Sequence, residues 1–216
     1  MQKQDKTLFK TPFSAAYWRT AAGELKNIRI LAFAALMIAA CVALSYVPSI
    51  HIGDGGVRIS WGFLARSVCG MVGGPVVALV FGFAEDTISF MIHPTGAYFP
   101  GYALTTMLGT MIYALFLYRA KPTVVRIFLA KLFTNILNVF LGSLWSAILL
   151  SKGYLYYMTT SFYKNLVMLP IQTAMLWYLV VAILPSLSYM GLVPIPTWEA
   201  TQLRLTSKRN LLGKKK

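Results

Sequence analysis

The chain has 216 residues, 57% of them hydrophobic and only 12% charged, with a formal net charge of +14. A soluble domain carries about twice that share of charge, and several apolar runs approach or exceed the ~20 residues that cross a bilayer. An ordinary soluble enzyme is excluded. So is a nucleic-acid footprint, because the basic residues gather in the two tails and one turn, as topology charge does.

Residues 1–27 form a basic segment with Lys3, Lys6, Lys10, Arg19 and Lys26 and the aromatics Phe9, Phe13, Tyr17 and Trp18. It reads as a cytoplasmic segment, with a short amphipathic helix expected over 13–26. The first span, about Ile28–Val47, has basic residues before it but no cleavage box, so an uncleaved span is expected. Within it Ala35, Ala39 and Ala43 are four apart on one face. Small residues at that spacing let another helix approach closely, either inside the bundle or from a partner.

Pro48 ends that span, and a glycine-rich loop follows through Gly53, Asp54, Gly55 and Gly56 to Arg58. No Walker or GxGxxG spacing occurs in it, and it reads as a mobile external loop. A second span covers about Ile59–Val72 with Trp61 and Arg66. Gly73-Gly74-Pro75 is a tight turn, and a third span covers about Val76–Ile92. A fourth span covers about Gly101–Tyr118. The basic turn Arg119–Arg126 leads to a fifth, about Ile127–Leu150, and residues 151–162 read as an external loop. A sixth span, about Tyr163–Leu184, ends at Pro185, and the segment 186–216 is a basic cytoplasmic tail.

The fold class expected is an all-α membrane protein, a six-helix bundle over residues 28–185. The Lys/Arg-rich segments fall on one side of six spans, which places both termini in the cytoplasm. Cys41 and Cys69 lie inside spans and read as small buried hydrophobes rather than a disulfide or metal pair. His51 and His93 are separate outer-edge histidines, and a metal site would need more ligands nearby.

The chemistry concentrates at 85–101. Glu85 and Asp86 are adjacent carboxylates in an apolar helix, and acids at membrane depth face a protein interior and have partners. Gly82, one turn before Asp86, admits a neighbouring backbone. The loop after the helix, with Thr95, Gly96 and Tyr98, forms the lip of a binding site. Arg66 lies at a depth similar to Asp86, so one reading is an Arg66–carboxylate pair. The other is a carboxylate accepting two parallel hydrogen bonds from the amino-pyrimidinone edge of a flat ring such as a pterin. Trp61, Tyr98, Phe99, Tyr102 and Trp145 can sandwich such a ring or serve as interface belt residues. Asn135 and Asn138 continue a polar stripe from Lys131 along the fifth span; Lys131 can pair or snorkel. Arg58, Lys152 and Lys164 stand at the outer rim, where the carboxylates of a ligand tail would arrive. No ATPase motif is present, so energy must come from a partner or a gradient.

Five stretches carry a family resemblance: Arg29–Ala39, Arg58–Ala65, Gly70–Val77, Pro94–Gly101 and Leu169–Gln172. Together they resemble the substrate-binding S components of energy-coupling-factor (ECF) vitamin transporters, most closely the folate-specific FolT group. The resemblance implies a six-helix protein of the prokaryotic plasma membrane that binds one vitamin, folate, from outside with high affinity. It needs no cofactor and performs no catalysis. It implies docking on an energising module of a transmembrane coupling subunit and two ATPases, through an AxxxA motif matched here by Ala35 and Ala39. It also implies toppling in the bilayer to release the vitamin inward. An S component for another flat vitamin, riboflavin, is the neighbouring alternative. A membrane enzyme or scaffold is the reading from a different class, with His51, Asp54 and His93 as its candidate residues.

Overall fold

The structure, a computed structural model, describes residues 14–47, 50–52, 57–59, 61–94, 98–149 and 153–193. Among them, five helices are long and apolar enough to cross a membrane: Ile28–Ser45, Phe63–Ile92, Pro100–Leu117, Val124–Leu149 and Tyr154–Tyr189. The protein is a helical, multi-pass membrane protein.

The expected amphipathic segment is helix α1, Ala15–Glu24, whose N-terminus is capped by the Ser14 side chain accepting from the Tyr17 amide. It does not lie apart from the bundle. Tyr17 and Ala21 are buried against Tyr118, and the Tyr17 hydroxyl donates to the Ala114 carbonyl at 3.3 Å. Helix α2, Ile28–Ser45, starts at Asn27, whose side chain accepts from the Arg29 amide. It buries Ile30, Ala34 and Cys41 and leaves Ala35 and Ala39 exposed. Internal packing therefore uses the opposite face to the alanine row. Both cysteines are free and buried.

The expected mobile loop after α2 is instead a small antiparallel hairpin. Strand β1, Ile50–Ile52, pairs with β2, Val57–Ile59, in the register Ile50↔Ile59, His51↔Arg58 and Ile52↔Val57. β-branched residues in both strands favour this pairing; residues 53–56 lie outside the described residues.

Where two helices are expected at 59–72 and 76–92, helix α3 runs from Phe63 to Ile92 and is broken at Gly74, with φ 75° and ψ 179°. Only glycine takes this conformation without strain. Arg66 and Glu85 are 19 positions apart and form an ion pair at 2.9 Å. In a straight helix they would be separated by ~28 Å at ~1.5 Å per residue. The two arms of α3 therefore fold back alongside each other at Gly74-Pro75.

Helix α4, Pro100–Leu117, packs most extensively against α3. Lipid tails are as apolar as leucine, so close backbone approach at small residues holds such helices together. Gly70 and Gly82 provide it. A Cβ on Gly70 would meet the Ala114 nitrogen and Thr110 oxygen at 3.0 Å, and one on Gly82 would meet the Met107 backbone at 2.6–2.8 Å. The neighbouring backbone expected at Gly82 is that of α4.

The fifth span comprises α5, Val124–Leu137, a π-helical turn at Asn138–Gly142 and α6, Ser143–Leu149. Thr123 caps its start. Helix α7, Tyr154–Tyr189, is longer than expected at both ends. Most of the segment read as an external loop is helical, with the hydroxyls of Thr159 and Thr160 bonded back to Leu155 and Tyr156 carbonyls. At the other end α7 passes through Pro185. Loss of that amide bond costs about 3 kcal/mol, and the burial of Leu184 and Leu187 on either side offsets it. One apolar core joins α2, α3, α4, α5 and α7.

Candidate functional site

The fold-back at Gly74 sets the acids. The Arg66 guanidinium grips Glu85 with two parallel bonds, Nε to Oε2 at 2.9 Å and Nη2 to Oε1 at 3.0 Å, and the Ser89 hydroxyl adds a third to Oε1 at 3.3 Å. Glu85 is 2% exposed. Both of its oxygens are engaged, so of the two readings of this acid, the structure contains the pair with Arg66. Asp86, about 100° further round the helix, is half-buried and accepts one bond to Oδ1, from Thr106 at 3.2 Å. Among the described residues its Oδ2 accepts none. Thr106 can reach Asp86 because Gly82 lets α4 lie directly on the second arm of α3.

One and a half turns beyond Thr106, towards the start of α4, stands an aromatic cluster. Phe99 packs on Trp145 with ring centres 5.4 Å apart and edge-on to Tyr102 at 6.3 Å. The Trp145 indole donates to Thr105 at 2.9 Å, tying α6 to α4, and Tyr102 shares a 3.3 Å bond with Ser146. Tyr98 bonds Thr87 at 3.3 Å and packs on Phe90. Tyr102 and Trp145 thus join α4 to α6, and Tyr98 joins the start of α4 to α3 at Thr87, the residue after Asp86. Trp61 stands just before α3 and is partly buried. Thr95 and Gly96 lie outside the described residues, as does the side chain of Arg58; so does Lys152.

The polar stripe on the fifth span divides. The Asn135 amide donates to the Asn165 carbonyl at 3.3 Å and pins α5 to α7. Asn138 donates to the Thr134 carbonyl within its own span, where the π-helical turn begins. Lys164, partly buried, stands next to Asn165 on α7. Between α5 and α7 lies a cavity of about 380 Å³ bordered by Asn135, Asn165, Phe140, Phe162 and Tyr163. Its walls are almost wholly apolar, and none of the acids borders it. Of the three expected residues Asn135, Asn138 and Lys164, only Asn135 borders this cavity.

Sequence reasoning missed Thr105 and Thr106; their signal is a hydroxyl pair in an otherwise apolar helix. It also left Lys131 to pair or snorkel. The structure gives it neither outcome. Lys131 is 4% exposed, and its ammonium lies 4.4 Å from the centre of the Phe63 ring. Among the described residues no group of three His, Cys, Asp or Glu is gathered as for a metal ion.

Fold and site together define a multi-pass membrane protein with a polar, carboxylate-bearing interior under an aromatic rim. No family model matches the chain. It is 31% identical over 154 residues to the folate transporter FolT of Clostridium novyi, a match that covers 71% of this chain and 88% of that relative. It is 28% identical over 152 residues to the folate transporter FolT of Leuconostoc mesenteroides, covering 67% and 82%. A crystal structure of FolT bound with folic acid superposes with a TM-score of 0.61 at 27% identity, over 69% of this chain and 89% of that one. The chain belongs to the FolT family of folate transporters.

Proposed function

We propose that this protein is the folate-binding S component of an ECF-type importer in the prokaryotic cell membrane. It captures the vitamin from outside with high affinity and delivers it inward by docking and toppling on a module of one coupling subunit and two ATPases. It hydrolyses nothing itself. The observation that carries the reading is Asp86. This half-buried carboxylate has an unengaged oxygen, its partner Thr106 adjoins the Thr105 that holds Trp145, and it suits the donor edge of a flat amino-pyrimidinone ring. Glu85 serves by holding Arg66 and the second arm of α3 in place. Trp61, Tyr98, Tyr102 and Trp145 enclose the ring; Arg58 and Lys164 meet the tail carboxylates; Thr95 and Gly96 form the lip; Asn135 and Asn138 shape the far wall.

The topology supporting this role has six spans, because the two arms of α3 count separately. The basic segments before α2, at 119–126 and after α7 then share the cytoplasmic side. The exposed Ala35 and Ala39 on α2 are the docking face.

Titration of the purified, detergent-solubilised protein with folate, followed by tryptophan quenching with riboflavin and thiamine alongside, tests the reading. Saturable quenching by folate alone is expected. Binding of riboflavin instead would keep the class and change the ligand. Binding of none of the three by folded protein would overturn the reading.

A further inference from the structure

Lys131 is an anomaly of the interior. A lysine in an apolar span ordinarily extends its stem to the nearest aqueous face or pairs with an acid. Lys131 lies only seven residues, ~10 Å at ~1.5 Å per residue, from the start of α5 at Val124. Yet its ammonium points to Phe63, at the far end of the first α3 arm from the Gly74 fold. A cation over a ring face gains attraction from the π cloud, but this uses none of the three N–H donors. Among the described residues no carboxylate or hydrogen-bond acceptor serves them. Leaving such a group 4% exposed without an acceptor is costly.

Its surroundings are those of the candidate site. Phe63 and Arg66 are one turn apart on the same arm, and Arg66 is close enough to feel the charges of both Asp86 and Lys131. Tyr113, beside Thr134 and within the field of Arg66, has a buried hydroxyl with no partner among the described residues. Arg66, closed on Glu85, is thus within reach of two open groups, Asp86, which can only accept, and Lys131, which can only donate.

The geometry points to Lys131 as a ligand-binding residue that donates to the acceptor side of the bound ring. That side is the bay formed by the 4-oxo oxygen and N5 of a pterin, while Asp86 takes the donor edge formed by N3–H and the 2-amino group. The assignment rests on the folate reading above and deepens it. It makes Lys131 a specificity determinant. A 4-amino ring turns a donor towards the ammonium, and the two repel, so the site selects 4-oxo ligands.

The test compares wild type, Lys131→Met and Lys131→Arg, each shown folded by monodisperse elution and thermal unfolding. Each is titrated with folic acid, its 4-amino-4-deoxy analogue, and pteroic acid, which lacks the glutamate tail. Wild type should prefer folic acid over the 4-amino analogue. Lys131→Met should bind folic acid roughly ten- to hundredfold more weakly, the scale of one hydrogen bond to a charged group. It should also lose most of that preference, and Lys131→Arg should keep part of it. Several results would overturn the inference. One is equal wild-type affinity for the two rings, which needs no variant to fold. Another is Lys131→Met losing both rings by the same factor, and a third is a change only in the preference for folic acid over pteroic acid. Failure of wild type to bind folic acid at all would instead sink the folate reading on which this rests.

Discussion

Glu24 Oε1 accepts two hydrogen bonds at once, from the Tyr118 hydroxyl at 3.1 Å and from Arg119 Nη2 at 3.0 Å. The same Tyr118 ring packs edge-on against Tyr17, 5.5 Å away, and lies where a side chain on Gly74 would have to go. Helix α1 thus clasps the fold-back of α3 to the end of α4.

That clasp has a pH signature. Burial pushes the phenols of Tyr17 and Tyr118 above their ordinary range. In the unfolded chain they ionise near pH 10, so above that pH the unfolded state binds fewer protons than the folded one. The stability they contribute is present below about pH 10 and is lost as pH rises beyond it. Thermal unfolding of the detergent-solubilised protein between pH 8 and 11 should fall more steeply for wild type than for a Tyr17→Phe/Tyr118→Phe double variant. Identical slopes would refute the argument.

The Arg66–Glu85 pair should behave as a buried pair does. Removing one partner leaves an uncompensated charge and costs about 3–5 kcal/mol, whereas replacing both with apolar residues of similar size costs much less. Arg66 is partly exposed, so the lower end of that range is expected. Arg66→Met and Glu85→Met should each lower the unfolding temperature, and the double variant should recover most of the loss. Additive losses would mean that the pair does not hold the two arms together.

Asp86 and Thr106 should show the opposite balance. Each is held by a single hydrogen bond at 3.2 Å, so Asp86→Asn should change stability by about 1 kcal/mol or less. An amide is a poor acceptor for the paired donors of a pterin edge, so the same variant should weaken folate binding at least tenfold. Thr106→Val, which frees the Asp86 carboxylate to turn, should weaken it by less. Unchanged folate binding by Asp86→Asn would remove this residue from the site.

Ala35→Trp and Ala39→Trp place bulk on the exposed face of α2. If that face docks on a coupling subunit, uptake in cells carrying the full transporter should be abolished while folate binding by the isolated protein is kept. Loss of both would point to a packing role within the bundle.

Much of this was legible in the sequence because depth along a membrane helix is. Apolar runs fixed where spans lie, Gly73-Gly74-Pro75 marked the fold of α3, and equal depth suggested the Arg66–carboxylate pair. What could not be read was which way a side chain faces around the helix axis. Lipid and protein core are both apolar, so hydrophobic periodicity does not separate the inward face of α5 bearing Lys131 from the outward one bearing Phe133 and Ile136. The helical start of α7 was hidden by Thr159, Thr160 and Ser161. These residues read as loop in water, yet in α7 the two threonine hydroxyls bond the preceding turn. The docking of α1 depends on Tyr17 and Glu24 meeting residues about 95 positions away, which no local pattern announces.

The distribution of small residues and helix defects gives the molecule a stiff half and a yielding half. The arms of α3 are keyed to α4 by glycines at two heights and clamped by α1 at the base, which makes that side a stator. The opposite side, α5 to α7, contains the π-helical turn at Asn138–Gly142 and Pro170 within α7. At both points the regular ladder of backbone bonds is interrupted and bending is easiest. A torque applied to the bundle would therefore be taken up beside the apolar cavity between α5 and α7, leaving the carboxylates on α3 in register with α4.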